Sequence, residues 1–263
     1  MSDLHALPEP EILRLSERIA ASWPALAAHA ERERWIGHIA RLEPAGDPYL
    51  SLEVSMTPAQ AARLRHPAQY TTLGVGELAP RFLVVASAPA PELDRWRFLI
   101  KRDSTLGKAL DSQGAVGQPL TVSAPEGPGF GVPGPQGPPP GEVLAFTTGS
   151  GIATIRPVLD HLLLTHPEVL ARTTLHYGES HADHFAYPDA LDRWRDAGCT
   201  IHLAAAHPAG RTSGRFVQET FTPEAHDLRH AVALLSGAPI MMRIVSATLL
   251  RLGVRPKRLR VNM

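Results

Sequence analysis

The sequence FTTGSGIATIRPVLDHLL, residues 146 to 163, contains two glycines separated by one residue, between an apolar run and a helical pattern. The preceding EVLAF predicts a buried strand, and the apolar spacing afterwards predicts a helix over Ile152–Thr165. Because Gly149 and Gly151 lack a Cβ, an anion or cofactor can approach this backbone closely, next to the unpaired N–H groups of a helix N-terminus. The turn alone identifies no site. It lacks the third glycine of the dinucleotide fingerprint, and an ordinary strand–helix turn explains it equally well.

Strand-like and helix-like segments alternate from this turn to the end of the chain. After Ile152–Thr165, further helices are predicted over His184–Ala197 and Pro239–Leu252. The segments between them, TTLHYG, CTIHLAAA, AVALLSG and RLRVN, have the apolar composition of buried strands. This alternation predicts an α/β domain with a parallel sheet and helices on both faces. Ligands of such sheets bind beyond the carboxyl ends of the strands, where the glycine turn lies.

Six short strand-like segments precede the turn, with one short helix predicted over residues 105 to 111. They are WIGHIARLE, YLSLEVSM, QYTTLGV, RFLVVASA, RWRFLIKR and PLTVSA. Their spacing predicts an antiparallel β-barrel or sandwich. We therefore expect four regions: an accessory helical segment (1–34), a β-barrel domain (35–124), a proline- and glycine-rich connector (125–141) and the α/β domain (142–263).

The composition excludes several classes of protein. Lysine plus arginine and aspartate plus glutamate both number 26, which argues against a nucleic-acid surface, since that needs a net basic face. The one cysteine, Cys199, excludes an internal disulfide and an iron–sulfur cluster held by this chain alone. We expect no metal site, because no third ligand accompanies the spaced histidine pairs. No apolar run approaches the roughly 20 residues of a membrane span, and no secretory signal is evident, so we expect a cytoplasmic protein.

Four segments together resemble the ferredoxin–NADP⁺ reductase superfamily. TTGSGIATIRPVL is similar to its TGxGIAP…R segment, whose glycine turn binds NAD(P), and LHYGESHADHFAYPDALDRWRDAG is similar to its YYGAR segment. ALLSGAPIMMRIVSATLLRLGV resembles its CGP segment, and PRFLVVASAP resembles its flavin-binding RxYSxAS strand. The segments follow the family's order and spacing over about residues 35 to 263. The resemblance implies a flavin-binding barrel followed by an NAD(P)-binding domain.

The family's chemistry is hydride transfer between nicotinamide C4 and flavin N5, with the flavin lying between the two domains. The resemblance therefore implies FAD and NAD(P)H as cofactors, with FMN as the alternative flavin. It also implies a separate electron acceptor, such as an iron–sulfur protein, because one cysteine cannot hold a cluster.

On the barrel side, the resemblance assigns three positions in the flavin-binding strand. Arg81 matches the arginine that neutralises the flavin pyrophosphate, Leu83 replaces a tyrosine that stacks on the isoalloxazine, and Val84 replaces a serine that hydrogen-bonds N5. Valine neither donates nor accepts, so flavin binding is expected while the tuning of N5 is altered. Ser104 and Thr105 fit a helix cap equally well. The barrel residues expected to bind the cofactor are Arg81, Phe82, Leu83, Val84, Lys101, Ser104 and Thr105.

In the α/β domain, the resemblance places the nucleotide at three strand ends. Thr154 replaces a family proline. Glu179 and Ser180 stand where Ala-Arg is common, so the arginine that pairs with a 2′-phosphate is missing. Glu179 is expected to accept from ribose hydroxyls, which favours NADH, while His181 and Arg215 are alternative phosphate partners. The residues expected to bind the nucleotide are Thr148, Gly149, Ser150, Gly151, Tyr177, Gly178, Glu179, Ser236, Gly237 and Ala238.

The reacting rings are expected between Val84 and Ser236, which are the two predicted catalytic positions. Ser236 replaces the family cysteine near the nicotinamide, and Met263 stands where a terminal aromatic is usual. These departures leave two other functions open. One is a degenerate member that keeps the fold for regulation or partner binding without turnover. The other is a reductase subunit that acts only beside a cluster-bearing or oxygenase component.

Overall fold

The computed structural model describes residues 33–90, 92–130, 141–207, 209 and 214–262. The helical segment predicted for residues 1–34 therefore lies almost wholly outside the described residues, as do positions 131–140 of the predicted connector and Met263. Within the described residues, the chain forms a six-stranded antiparallel sheet followed by a five-stranded parallel sheet. The predicted fold class, a β-barrel followed by an α/β domain, is confirmed.

The first sheet curls into a nearly closed barrel, in the order β4-β3-β6-β1-β2-β5. Its two end strands approach each other just beyond β4, where the Ala86 N–H donates to the carbonyl of Arg97 at 2.7 Å. Two helices, α1 (Pro58–Ala61) and α2 (Thr105–Gln113), interrupt the strands. The strands are β1 (Arg34–Pro44), β2 (Tyr49–Ser55), β3 (Tyr70–Gly74), β4 (Arg81–Val84), β5 (Arg95–Lys101) and β6 (Pro119–Ser123).

The barrel core follows the two-residue period of β5. Trp96, Phe98 and Ile100 are all buried in the barrel interior, as alternation predicts. Leu99 points the other way and is buried too, because it packs into the core that the barrel shares with the second domain. One strand therefore contributes to both the barrel core and the interdomain core.

The second sheet is parallel throughout, in the order β11-β10-β7-β8-β9. One face packs on α3 (Ile152–Thr165), α4 (Pro167–Leu170) and α5 (Pro188–Asp196), and the opposite face packs on α6 (Pro239–Arg251). Helices on both faces are thus confirmed. The strands are β7 (Glu142–Thr148), β8 (Thr173–His181), β9 (Thr200–His207), β10 (Ala231–Ser236) and β11 (Leu259–Asn262).

One predicted helix boundary is wrong. The helix predicted from His184 begins only at Pro188, because Tyr187 has a left-handed backbone with φ 62° and φ of Pro188 suits a first helical turn. Arg156 places its guanidinium 4.0 Å from the centre of the Tyr187 ring, which holds that residue at the domain core. By contrast, the boundaries of Ile152–Thr165 are as predicted.

None of the described helices combines the length and apolarity needed to cross a bilayer.

Candidate functional site

A cavity of about 1120 Å³ separates the barrel from the carboxyl-terminal edge of the parallel sheet. From β7 the chain runs outward through β8 to β9 and then returns to β10 on the other side of β7. The strand order therefore reverses between β7 and β10, which is where open α/β sheets bind their ligands. The cavity lies over this reversal and is open to a ligand. The described side chains do not fill it.

The glycine turn after β7 forms one part of the cavity floor. Gly149 has φ +59° and begins a 3₁₀ turn that leads directly into α3. A Cβ at Gly151 would lie 2.8 Å from the carbonyl carbon of Ser236 and 2.8 Å from Thr147 Oγ1. Only glycine lets these two strand ends approach so closely. The hydroxyl of Thr147 is buried and has no hydrogen-bond partner among the described residues.

The turn after β10 is joined to the glycine turn by a hydrogen bond. Gly237 has φ +125°, and a Cβ there would overlap Thr148 Oγ1 and lie 2.6 Å from the Thr148 carbonyl oxygen. The N–H of Ala238 donates to Thr148 Oγ1 at 2.7 Å. The two turns at the switch point therefore form one continuous backbone cradle.

Two departures from the pattern of the family that the sequence resembles contact each other in this cradle. Ser236 Oγ donates to Thr154 Oγ1 at 3.1 Å, and both side chains are buried and line the cavity. Threonine thus supplies an acceptor where the family has proline, and serine supplies the matching donor where it has cysteine. The two substitutions form a satisfied buried pair instead of leaving an unpaired polar group.

Glu179 lies in the cavity, where two tyrosines hold its carboxylate. Tyr49 Oη donates to Glu179 Oε1 at 2.9 Å, and Tyr177 Oη donates to the same oxygen at 2.8 Å. Burial raises the pKa of Glu179, while the hydrogen bonds from the two tyrosines oppose that rise. Burial and the nearby carboxylate also raise the pKa values of Tyr49 and Tyr177. One oxygen of the predicted ribose acceptor is thus already engaged.

The barrel wall of the cavity is mostly apolar. Leu83 and Val84 at the end of β4 and Leu99 of β5 line it, and Lys101 adds a positive charge at the end of β5. Phe82 also lines the cavity and is 48% exposed. This wall therefore offers a hydrophobic surface and one cation, and Val84 brings no hydrogen-bonding group to it.

Four predicted site residues do not line the cavity. Arg81 is exposed at the start of β4, and Tyr177 is fully buried beneath Glu179. Ser104 caps α2 by accepting from the Gly107 N–H at 3.0 Å, and Thr105 is the first residue of that helix. The structure thus shows a capping role for Ser104, and cofactor contacts at these four positions stay predictions.

The other predicted positions are brought together by the fold. Tyr49, Phe216 and Ile240 also line the cavity, although the sequence did not single them out. Their spacing carries no local motif, so only the fold could identify them. The predicted residues that line the cavity are Phe82, Leu83, Val84, Lys101, Thr148, Gly149, Ser150, Gly151, Gly178, Glu179, Ser236, Gly237 and Ala238.

A buried histidine anchors another wall of the cavity. The ring of His176 stacks between Phe146 and His202, with centroid distances of 4.5 and 5.0 Å. Its Nδ1 lies 2.7 Å from Thr220 Oγ1, at the end of the 3₁₀ turn Val217–Thr220, which lines the cavity. Burial, with help from His202 and a third histidine nearby, lowers the pKa of His176 to about 3. The ring therefore stays neutral at physiological pH.

Metal-ligand chemistry does not stand out in the described part of the chain. No group of three histidine, cysteine, aspartate or glutamate side chains there could hold a metal ion. Cys199 is buried, and burial raises the pKa of its thiol to about 12, so it is a packing residue and not a nucleophile.

Comparison with known proteins supports the second domain as a nucleotide-binding unit. Residues 146–247 match the family described as oxidoreductase NAD-binding domain. This range includes the glycine turn, Glu179 and the Ser236–Ala238 turn. No curated protein sequence matches the chain.

Solved structures share the fold of both domains at low sequence identity. The flavohem-like FAD/NAD-binding domain of nitric oxide dioxygenase from Vibrio cholerae superposes with a TM-score of 0.74 and 16% identity, covering 88% of this chain and 98% of that one. A cytochrome P450 reductase from Amycolatopsis gives 0.74 and 19%, covering 88% and 70%. The ferredoxin–NADP⁺ reductase from Neisseria gonorrhoeae with bound FAD and NADP gives 0.67 and 18%, covering 88% and 99%. The chain is therefore ferredoxin–NADP⁺ reductase-like in fold, and the resemblance seen in its sequence is confirmed.

Proposed function

We propose that this protein is a flavin-dependent NAD(P)H oxidoreductase that transfers a hydride between nicotinamide C4 and flavin N5 and passes electrons to a separate acceptor. The observation that carries the proposal is the cavity at the strand reversal, bounded by a glycine cradle on one side and by an apolar barrel wall on the other. Its volume of about 1120 Å³ exceeds the range of roughly 300–1,000 Å³ typical of small-molecule sites. Two ring systems therefore have room to meet.

The sheet side fits a dinucleotide. Gly151 and Gly237 let the ends of β7 and β10 pack against each other, Gly149 leaves its Cβ position open, and α3 points its N-terminus at the cradle. Backbone N–H groups and a helix dipole suit a pyrophosphate. In this proposal, the cradle holds the phosphates and the Ser236–Thr154 pair fixes the end of β10 beside them.

The barrel side fits the flat, apolar face of a flavin. Leu83, Val84 and Leu99 give a hydrophobic surface, and Lys101 gives a cation suited to a phosphate or to a reduced, negatively charged ring. A bound flavin supplies two-electron uptake from the nicotinamide and one-electron release to an acceptor. The chain's own contribution is to hold both rings in one cavity and to exclude water with its apolar wall.

Glu179 favours NADH over NADPH in this proposal. Its Oε1 is occupied by two tyrosines, which fix the carboxylate in place and leave Oε2 to accept from a ribose hydroxyl. A fixed negative charge at the end of the second strand disfavours a 2′-phosphate nearby. The family arginine that pairs with that phosphate is replaced by Ser180.

The electron acceptor is proposed to be a separate protein, such as an iron–sulfur protein. The chain has a single cysteine, and it is buried, so the chain cannot hold a cysteine-ligated cluster by itself. Two structural neighbours are a cytochrome P450 reductase and a ferredoxin reductase in carbazole 1,9a-dioxygenase, whose names place reductases beside other redox components. A cytoplasmic location stays a prediction.

The test is a visible absorption spectrum followed by an anaerobic titration with NADH. We expect the purified or FAD-reconstituted protein to show flavin bands and NADH to bleach them. A protein that takes up no FAD would contradict the proposal.

A degenerate, regulatory member is the second candidate function. The observation in its favour is the barrel wall, where Val84 brings no hydrogen-bonding group to the cavity. The same titration separates the two candidates, because a degenerate member would have a partner-dependent role and no measurable nucleotide affinity, and so would show no NADH-dependent bleaching.

A further inference from the structure

A chain of hydrogen bonds crosses from the barrel to the sheet at the edge of the cavity. Tyr49 is the first residue of β2 and belongs to the barrel, whereas Tyr177 and Glu179 belong to β8 of the sheet. The hydroxyls of both tyrosines donate to Glu179 Oε1. The Ala186 N–H in turn donates to Tyr177 Oη at 3.2 Å. One carboxylate oxygen thus joins the barrel, the sheet and the loop before α5.

Because the junction is buried, a tyrosine hydroxyl left there without a hydrogen-bond partner would be unfavourable. Tyr49 is 1% exposed and Tyr177 is fully buried, so neither hydroxyl has water as a ready alternative partner. Their aromatic rings pack into the same interdomain core. The carboxylate of Glu179 is therefore the group that satisfies a hydroxyl from each domain.

The junction connects directly to both walls of the cavity. Tyr49 is the strand partner of Lys101, which lines the barrel wall. Gly178, the residue before Glu179, is the strand partner of Thr148, which precedes the glycine turn. A Cβ at Gly149 would lie 3.5 Å from Tyr49 Oη. The two binding surfaces are thus linked by neighbouring residues through the Tyr49–Glu179 bond.

The turn before β2 also lies at the contact between the barrel and the sheet domain. Gly46, with φ +94°, lets the turn before β2 lie against the loop before α5, where a Cβ would be 3.0 Å from the Phe185 carbonyl oxygen. A separate interdomain hydrogen bond joins Asn262 to the Ala68 carbonyl oxygen at 3.1 Å. This bond leads from β11, at one edge of the sheet, and does not involve β7 or β8.

We propose that Tyr49 and Glu179 form a positioning bridge that couples the flavin surface of the barrel to the nucleotide surface of the sheet. The proposal rests on the proposed function, since it requires two ligands in one cavity. A ligand that immobilises the end of β5 also immobilises Tyr49. Through its hydrogen bond to Glu179, Tyr49 then restrains that carboxylate and the glycine turn. Binding of FAD and binding of a nicotinamide nucleotide are therefore linked, and linkage is reciprocal.

The test compares variants of the full chain that each carry one change in a hydroxyl or the carboxylate of the junction. Y49F removes the bond across the domains, whereas Y177F removes a bond of the same chemistry to the same oxygen within one domain. E179Q retains an oxygen acceptor, and E179A removes it. For each protein, the dissociation constant of FAD is measured by calorimetry with and without saturating NAD⁺, so that no turnover is involved.

In the wild-type protein, we expect NAD⁺ to tighten FAD binding by about five-fold or more. The factor should fall below about two-fold in Y49F and E179A and should persist in Y177F and E179Q. Hydrogen exchange gives a second readout. The amides of the Gly46–Tyr49 turn should exchange faster in Y49F than in Y177F.

Three results would overturn the bridge. They are a wild-type factor near one, a Y49F factor equal to that of the wild type, and an equal loss in Y177F and Y49F. A wild-type protein that binds both ligands independently would contradict only the bridge. A wild-type protein that binds neither ligand would contradict the proposed function and the bridge with it.

Discussion

The two walls of the cavity differ in which atoms form the binding surface. On the sheet side, the backbone forms it: two glycine turns, a helix N-terminus and strand ends packed so closely that a Cβ at Gly151 or Gly237 would clash. On the barrel side, the side chains form it, and two of them, Leu83 and Val84, differ from the pattern of the family that the sequence resembles.

The difference bears on how each wall responds to sequence change. A backbone cradle needs only glycine at a few positions, so its shape depends little on the neighbouring side chains. On the sheet side, two positions that differ from the resembled family's pattern, Ser236 and Thr154, hydrogen-bond each other. The barrel wall shows no such compensation at Val84. We therefore expect binding to be preserved better than the tuning of the reaction.

The largest expected effect is on the sheet side, at Gly237. G237A forces a Cβ into Thr148 at φ +125°, so strain and overlap together should lower the free energy of unfolding by about 2–5 kcal/mol. Separation of the two turns should also weaken NAD⁺ binding at least about ten-fold. Chemical denaturation and calorimetry measure the two quantities.

The matched control for this change is G253A. Gly253 also has positive φ, at +97°, but nothing lies within 4 Å of its Cβ position. It should therefore show backbone strain of about 1–2 kcal/mol with unchanged NAD⁺ affinity. Equal losses of affinity in the two variants would contradict the assignment of the cradle.

The next expected effect is a pH dependence of the free energy of unfolding that comes from His176, on the sheet side of the cavity. The ordinary pKa of histidine is 6.5, and burial lowers that of His176 to about 3. Between about pH 7.5 and about pH 5, the unfolded chain takes up a proton that the folded chain does not. This group alone should therefore lower the free energy of unfolding by about 2 kcal/mol over that interval.

H176F keeps the stacked ring and removes the titration. The pH dependence of its unfolding free energy, followed by urea denaturation, should be flatter than that of the wild type by this amount. A slope identical to the wild-type slope would show that His176 is not held neutral in the folded protein.

A smaller effect tests the compensation between Ser236 and Thr154. In a double-mutant cycle with S236A and T154V, the coupling free energy of unfolding should be about 1 kcal/mol, the usual net value of one buried hydrogen bond. Ser246 offers a control, because its buried hydroxyl has no partner among the described residues. The effects of S236A and S246A on the free energy of unfolding should be additive. A coupling of zero between Ser236 and Thr154 would show that their hydroxyls do not compensate for each other.

The smallest effect is expected at the barrel wall. V84T adds a hydroxyl with little change of volume, and one new hydrogen bond to a reacting ring should speed NADH-dependent flavin bleaching by about two- to ten-fold. V84A changes the volume without adding a hydroxyl and should give no gain. Stopped-flow absorbance measures both rates. An equal gain in V84A would show that space, and not polarity, limits the reaction.

The sequence predicted the architecture well because strand, helix and turn patterns are each contained in a short stretch of the chain. Glycines before an apolar helical pattern placed Ile152–Thr165 correctly. The start of α5 was missed because the left-handed conformation of Tyr187 depends on its surroundings, including Arg156. The sequence singles out Glu179, but its partner Tyr49 lies 130 residues away, and no spacing rule relates them. The cavity positions were accessible to a family resemblance, whereas the contacts among them required the fold.

The central claim is that a nicotinamide and a flavin meet in this cavity, and hydride transfer between them tests it most directly. The measurement is anaerobic stopped-flow bleaching of the FAD-reconstituted protein by NADH and by NADH deuterated at C4. We predict bleaching that is slower with the deuterated nucleotide, because the C4–H bond breaks as flavin N5 accepts the hydride. Retention of FAD without any bleaching by NADH would contradict the claim.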